Sequence, residues 1–247
     1  MNSEQHHAKT ELPVYLTVDT STKQCSISLA NPRKVIKVHS WQTNYNPTSE
    51  LLPKIITALA NSDLTPNDIS ALGVAVGPGG FSSIRTGVSV VKGLRIALEI
   101  PAVGFNTLEA TAYSYIDKHS LITPVLSIGK GYFAWATYQV LKESLNLTDT
   151  PKIGHANDIV NQNLQNRFYC GEGVKELTTL LDKTSAKYEV TTDVSLTNRI
   201  YGLTQLVTNY FTHNPHKSGY LNPIYLKEPL IGNSYQRSKS QKPLRHE

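Results

Sequence analysis

Residues 72–98, LGVAVGPGGFSSIRTGVSVVKGLRIAL, decide the fold class of this chain. The apolar run at 72–76 is typical of a strand that is covered on both of its faces. The GPGG turn at 77–80 ends that run, and apolar residues then recur with helical spacing over 82–98. A buried strand that leads through a tight turn into a long helix is a building unit of α/β sheets, so this stretch predicts an α/β fold.

The predicted helix at 82–98 carries two stripes of different character. One stripe is made of larger apolar side chains, namely Ile84, Val88, Val91, Leu94 and Leu98. The other is made of smaller residues, namely Gly87, Val90, Gly93 and Ala97. The first stripe is expected to pack on a sheet, and the second is expected to let another helix approach closely.

Upstream of this unit, three short stretches predict consecutive antiparallel strands at 14–19, 25–30 and 34–41. A helix is expected next, with Pro47 in its first turn. Because proline is disfavoured deep inside a helix, the regular part is predicted to begin within one turn of Pro53. The apolar face of this helix consists of Leu51, Leu52, Ile55, Ile56 and Leu59.

Downstream, a second and shorter set of similar elements follows, and a polar stretch rich in asparagine interrupts it after residue 140. Two related α/β lobes are therefore predicted. The strands are predicted at 101–105, 122–127, 132–140 and 168–170, and the helices at 107–116 with Thr107 as its cap, at 174–181 and at 196–211. The predicted division is a flexible segment at 1–13, a first lobe at 14–108, a second lobe at 109–231 and a flexible basic tail at 232–247.

The composition supports a globular protein, because 39% of the 247 residues are apolar and only 17% are charged. The net charge of +5 weakly favours binding of polyanions such as RNA or phosphorylated ligands, and by itself it does not identify a ligand. Part of the excess lies in the C-terminal tail, in Arg237, Lys239, Lys242 and Arg245. Such a tail can contact a phosphate backbone through charge alone.

Cys25 and Cys170 are too few for a disulfide framework and form no C-x-x-C motif, so both are expected to be small core residues. Residues 1–13 contain no apolar run that could serve as a signal peptide, and the sequence has no apolar run of transmembrane length. A cytoplasmic protein without membrane contact is therefore expected.

One candidate phosphate-binding motif is the turn after the first predicted strand, formed by Asp19, Thr20 and Ser21. A carboxylate there can hold a metal ion or a water molecule, while the turn amides face an anion. The structural alternative is a turn in which Asp19 caps its own backbone.

A second candidate lies at the start of the long helix, where glycines permit close approach and free N–H groups attract anions. Its residues are Gly77, Gly79, Gly80 and Ser82. The motif matches neither a dinucleotide-binding fingerprint nor a P-loop, and a purely structural strand-to-helix turn remains open as the alternative.

Obvious catalytic machinery is missing from the sequence. No H-E-x-x-H motif of a zinc protease and no G-x-S-x-G motif of a serine hydrolase is present. His213 and His216 have a spacing that could reach one metal ion, but Pro215 makes this segment a loop, and no metal site is predicted there.

Residues 14–30 (VYLTVDTSTKQCSISLA), 51–56 (LLPKII) and 72–108 together resemble the bacterial TsaB family, which is also called YeaZ. That family has a D-T-S/T turn, then G-P-G-S/G-F-T/S-x-x-R-x-G, then a K/Q-G-L helix. The matching residues here are Asp19, Thr20, Ser21, Gly77, Pro78, Gly79, Phe81, Arg85, Gly87, Gly93 and Leu94. Residues 222–227 (NPIYLK) are similar to the family's closing P-x-Y-L-R segment.

The resemblance implies two lobes of the actin-like ATPase, RNase H-like kind (ASKHA), each a mixed sheet with helices. It also implies a role in forming threonylcarbamoyladenosine in tRNAs that read codons beginning with A. The chain would be a non-catalytic partner of TsaD, which holds the metal and transfers the threonylcarbamoyl group, and the small ATPase TsaE would join the pair. No cofactor is then expected for this chain itself, while ATP and a divalent metal serve the complex. Contact with tRNA through the complex is left open.

The chain departs from the family pattern in two places. Pro47 stands where the family often carries a histidine, six residues before the helix proline. The segment Ser127-Ile128-Gly129-Lys130-Gly131-Tyr132 stands where the family has D-A-R-x-G-E, so the acidic and arginine groups are missing. Ionic contacts made through that segment are therefore not expected here.

We expect a partner to dock on the two helices at 51–60 and 82–98, which would form a bundle with the equivalent helices of TsaD, or of a second copy when the chain is alone. An interface of about 800 Å² per side supplies ample driving force at about 25 cal/mol per Å² of apolar area. The predicted interface residues are Leu52, Ile55, Ile56, Leu59, Ile84, Gly87, Val88, Val90, Val91 and Leu94.

Two enzymatic alternatives remain open at this point. An ATP-dependent small-molecule kinase of the same superfamily would use the turn at Asp19 and the Gly171-x-Gly173 segment to hold ATP, although no clear catalytic base is present. A metal-dependent protease relative is the weaker alternative, because the sequence offers no ligand set.

Overall fold

A computed structural model describes residues 12–43, 47–129, 131–142, 144–160, 167–181, 189–190 and 198–226. The predicted N-terminal segment, except for its last two residues, and the basic tail at 232–247 lie outside the described residues, as does Lys130. None of the helices described for the chain is long and apolar enough to span a membrane.

The first lobe is built on a five-stranded mixed sheet. β1 pairs with β2 and β2 with β3 in antiparallel fashion, whereas β1–β4 and β4–β5 are parallel pairs. The short turns after β1 and β2 allow antiparallel pairing, while each parallel pair needs a helical crossover. In sheet order the strands are β3 Val35–Gln42, β2 Gln24–Ala30, β1 Val14–Asp19, β4 Ile69–Ala75 and β5 Ala102–Phe105.

Two crossover helices, α1 at Pro47–Ala60 and α2 at Phe81–Leu98, cover one face of this sheet. Pro53 lies inside α1, so the expectation that the regular helix begins within one turn of it is wrong. A proline inside a helix costs roughly 3 kcal/mol. Leu51 and Ile55 are completely buried, and each contributes about 1.5–3 kcal/mol, which offsets that cost.

The second lobe repeats the same strand order. β6–β7 and β7–β8 are antiparallel pairs, and β6–β9 and β9–β10 are parallel pairs, so both sheets follow the order third, second, first, fourth, fifth. This shared topology confirms two related α/β sheets. In sheet order the strands are β8 Ser144–His155, β7 Tyr132–Leu141, β6 Leu121–Gly129, β9 Phe168–Cys170 and β10 Glu189–Val190.

Strand β8 was not predicted, because its sequence is mostly polar and contains Asn146, Asp149, Pro151 and Gly154, which are types depleted in strands. It lies at the edge of the second sheet, where β7 is its one pairing partner among the described strands. Its side chains alternate irregularly between exposed and half-buried positions. Backbone pairing with β7 defines this strand, and an edge strand needs little apolar content.

The remaining helices lie on both sides of the second sheet and between the two sheets. They are α3 Thr107–Tyr113, α4 Ala156–Val160, α5 Val174–Leu181 and α6 Asn198–His213. The cap of α3 is Asn106 and not Thr107, because the Asn106 side chain accepts a hydrogen bond of 2.8 Å from the Leu108 N–H.

Helix α6 lies on the face of the first sheet opposite α1 and α2. Its residues Val207 and Phe211 pack with Tyr15, Ala71 and Val103 of that sheet. The boundary at 108/109 stays a prediction, but α6 leaves the second sheet and joins the core of the first. The chain therefore crosses between the lobes a second time.

The segment after α6 runs back along the first sheet. The Gly104 N–H donates to the Tyr220 carbonyl at 2.8 Å, and the Ile224 N–H donates to the Val76 carbonyl at 2.7 Å. At its end, Tyr225 accepts a hydrogen bond from Arg85 Nε and packs on Phe81 with ring centroids 4.8 Å apart. The motif residues Phe81 and Arg85 thus attach the closing segment to the start of α2.

Both cysteines are buried and unpaired, as the sequence predicts. Burial, followed by the charges of Asp19 and Glu50, raises the pKa of Cys25 to about 12. Burial alone raises the pKa of Cys170 above its ordinary range. Both thiols are therefore protonated core groups.

Two glycines of α2 are predicted to respond in opposite directions to alanine. A Cβ at Gly87 would overlap Thr20 Oγ1, which is already held by the Ser83 carbonyl, so Gly87→Ala should destabilise the fold by about 1–3 kcal/mol. No atom lies within 4 Å of the Cβ position at Gly93, so Gly93→Ala should stabilise the protein by up to about 1 kcal/mol. Urea unfolding at constant m-value measures both changes, and equal shifts for the two variants would contradict this packing.

Candidate functional site

The turn after β1 forms around the buried carboxylate of Asp19. Its Oδ1 accepts hydrogen bonds from the Ser21 backbone N–H at 2.9 Å and from the Ser21 hydroxyl at 2.5 Å. Its Oδ2 accepts from Arg199 Nε at 2.5 Å. Asp19 is therefore both the cap of its own turn, as the structural alternative expects, and half of an ion pair.

Arg199 comes from the first turn of α6 and connects the two lobes. Its Nη1 donates to Glu172 Oε1 at 2.8 Å, and its Nη2 donates to the Thr22 hydroxyl at 3.0 Å. The Thr22 hydroxyl also donates to Glu172 at 3.0 Å. Each of the three guanidinium nitrogens thus has a partner, and the partners come from the β1–β2 turn and from the loop between β9 and α5.

The electrostatics of this cluster, which we call the Arg199 cluster (Asp19, Thr22, Glu172 and Arg199), favour a permanently charged arginine. Burial works to lower the pKa of Arg199, but the charges of Asp19 and Glu172 and their hydrogen bonds outweigh it and raise that pKa. The Arg199 and Asp19 side chains are 4% and 2% exposed, whereas the Glu172 side chain is 21% exposed. A buried pair of this kind is costly to break because the remaining charge has no water around it.

The two candidate phosphate-binding motifs pack against each other. The Gly80 N–H donates to the Ser21 carbonyl at 2.7 Å, and the Thr20 hydroxyl donates to the Ser83 carbonyl at 2.6 Å. A side chain at Gly79 would collide with the Ser21 carbonyl. The glycines therefore serve close contact between two backbone segments of the chain itself.

Five of the seven residues predicted to bind phosphate are buried or engaged in contacts within the chain, and phosphate binding itself stays a prediction. Asp19 is occupied by Arg199, Thr20 and Ser21 are fully buried, and Gly79 contacts Ser21. Gly77 has a φ of +104°, and a Cβ there would lie 2.6 Å from the Ile224 carbonyl, so the closing segment covers it. Gly80 and Ser82 remain exposed at the start of α2.

The Gly171-Glu172-Gly173 segment also packs against its own lobe. The Gly173 N–H donates to the Val125 carbonyl at 3.0 Å. A Cβ at Gly171 would lie 2.7 Å from the same carbonyl, and a Cβ at Gly173 would lie 2.9 Å from Val125 Cγ1. These glycines bring the loop onto β6 and direct Glu172 to Arg199, which is a packing role.

The predicted partner interface is divided by the structure. Six of its residues face the first sheet and cannot meet a partner, because they belong to the core or touch Thr20: Ile55, Leu59, Ile84, Gly87, Val88 and Val91. The helical periodicity located the apolar stripes correctly. The larger stripe of α2 packs on the first sheet, as its pattern predicts, so Ile84, Val88 and Val91 are not open to a partner.

An apolar surface stays open beside that core. Leu52 and Ile56 on α1 are 43% and 52% exposed. On the neighbouring helix α2, Gly93 and Ala97 are exposed and Val90 is half-buried. The Thr48 and Thr86 hydroxyls, 3.2 Å apart, join the two helices on this side. We call Leu52, Ile56, Val90, Gly93 and Ala97 the helix-pair face. Val90, like Leu94 at the border of this face, is half-buried and also packs on the core.

The other sequence candidates have no ligand-binding geometry among the described residues. No group of three or more His, Cys, Asp or Glu side chains that could hold a metal ion is found there. His213 and His216 are both exposed near the end of α6. Ser127 contacts Glu176 at 3.4 Å, and Pro47 is the buried first residue of α1.

Sequence reasoning missed Arg199 as a site residue. Arg199 shares a helical face with Leu203 and Leu206, and an arginine on an apolar face is a signal that a buried carboxylate is near. The sequence could have raised that question. It could not have named Asp19 as the partner, since the two residues lie 180 positions apart.

Comparison with known proteins gives one family and several relatives. The family model described as "TsaD: tRNA N6-adenosine threonylcarbamoyltransferase" matches residues 43–211. The chain is 25% identical over 231 residues to a Haemophilus influenzae protein named tRNA threonylcarbamoyladenosine biosynthesis protein TsaB, covering 87% of this chain and 94% of that protein. It is 32% identical over 126 residues to the Escherichia coli protein of the same name, covering 50% of this chain and 54% of that one. This second alignment spans about half of each chain.

Solved structures agree on the fold. YeaZ from Pseudomonas aeruginosa superposes with a TM-score of 0.70 at 19% identity, over 87% of this chain and 100% of that chain. The ethanolamine utilization protein EutJ from Carboxydothermus hydrogenoformans gives a TM-score of 0.51 at 12% identity, over 79% of this chain and 91% of that chain. The two-lobed α/β architecture expected from the sequence is confirmed.

We predict that the Asp19–Arg199 pair contributes far more to stability than an exposed pair does. Arg199→Met should lower the free energy of unfolding by about 3–5 kcal/mol, because it leaves the buried Asp19 carboxylate without its counter-charge. The matched control is Lys152→Met, since Lys152 and Asp149 are 3.8 Å apart and their side chains are 42% and 35% exposed, a geometry worth about 0–1 kcal/mol. Urea unfolding measures both, and similar losses for the two variants would refute the assignment.

Proposed function

This chain belongs to the TsaB (YeaZ) group of the tRNA threonylcarbamoyltransferase family, and from that premise we propose that it is a non-catalytic subunit in the formation of threonylcarbamoyladenosine in tRNA. Its role in this biosynthesis, together with the TsaD description of the matching family model, implies a complex that includes a TsaD-like subunit. The transfer chemistry is assigned to that subunit. The tRNAs concerned are those that read codons beginning with A.

The observation that supports a non-catalytic role is the occupation of the Asp19 turn by Arg199. A carboxylate that is to hold a metal ion or orient water must be open to the ligand, whereas Asp19 is bonded to Ser21 and Arg199 and is 1% exposed. A catalytic group must lie within hydrogen-bond reach of its substrate. The charges and hydrogen bonds of Asp19 and Arg199 hold the fold together instead.

The helix-pair face is the surface that we assign to the TsaD-like partner. It combines two exposed aliphatic side chains on α1 with a stripe of small residues on α2. Small residues allow a helix of the partner to approach closely, and Leu52 and Ile56 can insert beside it. In the absence of that partner, a second copy of this chain would cover the same face in an isologous homodimer. A TsaE-like ATPase would bind the pair that this chain forms with the TsaD-like subunit.

An ATP-dependent kinase is not favoured. The turn that would hold the phosphates is closed by Arg199, and the Gly171-Glu172-Gly173 segment lies against β6. We propose that this chain needs no cofactor, that ATP and a divalent metal act elsewhere in the complex, and that it works in the cytoplasm.

A charge placed on the helix-pair face is predicted to abolish pairing. Ile56→Glu should remove copurification with the TsaD-like subunit, because a carboxylate would be buried without a partner in the interface. The matched control is Leu147→Glu, which changes a side chain of similar exposure, 48% against 52%, on strand β8. Circular dichroism verifies that both variants fold. If Ile56→Glu copurifies with the TsaD-like subunit as well as Leu147→Glu does, the helix-pair face is not the interface.

Reconstitution tests the function directly. With TsaD-like and TsaE-like subunits, tRNA and the modification substrates, we expect threonylcarbamoyladenosine only when this chain is added. Calorimetric titration of the isolated chain with magnesium and ATP should give no tight binding, because Arg199 occupies the Asp19 carboxylate. Full modification without the chain, or tight ATP binding by it, would overturn the proposal.

A further inference from the structure

A strip of cationic and aromatic side chains follows the edge strand β3 and the neighbouring side of α1. It consists of Lys37, His39 and Trp41, which alternate along β3 and therefore share one face, and of Lys54 from α1. At about 3.4 Å per residue, Lys37 and Trp41 lie roughly 14 Å apart along the strand. We call these four residues the β3 strip.

The aromatic part of the strip is held in a fixed position. The Trp41 Nε1–H donates to Glu50 Oε2 at 2.8 Å. The His39 ring lies 5.6 Å from the Trp41 ring at an interplanar angle of 25°, and Lys54 Nζ lies 5.0 Å from the centre of the same ring. The indole is thus oriented before any ligand arrives, which reduces the entropy lost on binding.

The charges around the strip are nearly all positive. Residues 20–43 and 47–60 contain five lysine and arginine residues, and Glu50, which holds Trp41, is their only acidic residue. Burial, followed by the charges of Lys54 and Lys37, lowers the pKa of His39, so both ammonium groups act on this imidazole. The cations are Lys23, Arg33, Lys34, Lys37 and Lys54.

The strip and the helix-pair face lie on opposite flanks of α1. Glu50 and Lys54, four residues apart, contact Trp41 on β3. Leu52 and Ile56, also four apart, lie on the other flank, toward α2. A partner on the helix-pair face therefore leaves the β3 strip uncovered.

We propose that the β3 strip binds the backbone of an RNA strand, with phosphates on Lys37 and Lys54 and a base or ribose against the His39–Trp41 ring pair. This inference rests on the proposed function, because a subunit in tRNA modification works next to RNA. Lysines neutralise phosphates, and aromatic side chains stack with bases of any sequence. An acidic protein surface would pair with the lysines but would make no stacking contact with the His39–Trp41 ring pair. The presence of both lysines and aromatic rings in the strip therefore favours RNA.

The test measures RNA binding by the full chain in the fluorescence of its tryptophans. The chain has two tryptophans, and Trp135 is only 2% exposed, so quenching by added tRNA reports Trp41. We expect Lys37→Ala/Lys54→Ala to reduce the slope of log affinity against log salt by about 1.5, since two phosphate contacts are lost. Lys37→Arg/Lys54→Arg should restore the slope.

The matched control removes the same charge from the second lobe. Lys118→Ala/Lys175→Ala changes two exposed lysines far along the chain. Each lost phosphate contact lowers the salt slope by roughly 0.7–0.9, so a control that loses no contact should keep a slope within about 0.5 of that of the unsubstituted protein. Equal slopes for the strip variant and the control would overturn the proposal. Equal quenching by polyglutamate and tRNA would also overturn it, in favour of an acidic protein partner.

The same variants in the reconstituted modification assay separate the two proposals. If modification still requires this chain while the strip variant binds tRNA as the control does, the RNA inference is wrong and the proposed function stands. If modification does not require the chain, the proposed function is wrong, and the salt slopes still decide whether the strip binds RNA.

Discussion

The buried ion pair between Arg199 and Asp19, extended by Glu172, is the interaction on which the arrangement of this protein depends. Arg199 belongs to α6, Asp19 ends the first strand, and Glu172 lies in a loop of the second sheet. The guanidinium therefore joins both sheets and the helix between them through one planar group. Removing these charges from water costs free energy, and this cost is offset only in the geometry that pairs all of them. The cluster thus favours one relative placement of the lobes.

This constraint divides the first lobe into an inner side that holds the chain together and an outer side that is open to a partner. The inner side of the lobe, where Asp19 and the glycine turn meet, is used to hold the chain together. The outer side of α1 and α2 retains apolar side chains that no part of the described chain covers, namely Leu52 and Ile56. A docking subunit needs such a division, because its inside must be rigid so that its outside presents a fixed surface to a partner.

The motif residues that carry the family resemblance have physical reasons of their own in this structure. Gly87 lies against Thr20, and Gly79 lies against the Ser21 carbonyl, so each glycine marks a close approach between two segments. Arg85 packs over the Phe81 ring at 3.8 Å and donates to Tyr225, which attaches the closing segment. A motif that resembles a ligand-binding loop can therefore be retained for packing, since close contact demands the same small residues.

The sequence by itself determined the elements and their class, because the periodicity of apolar residues is a local property that strands and helices impose directly. It located most strands, both long helices and the two stripes of α2, but it missed β8, whose existence depends on pairing with β7 and not on its own composition. Only the tertiary structure decided which predicted interface residues are buried, which carboxylate meets Arg199, and that Asp19 is bonded within the chain. These outcomes depend on residues far apart in the chain, such as Asp19 and Arg199, whose contact arises only when both sheets and α6 are packed together.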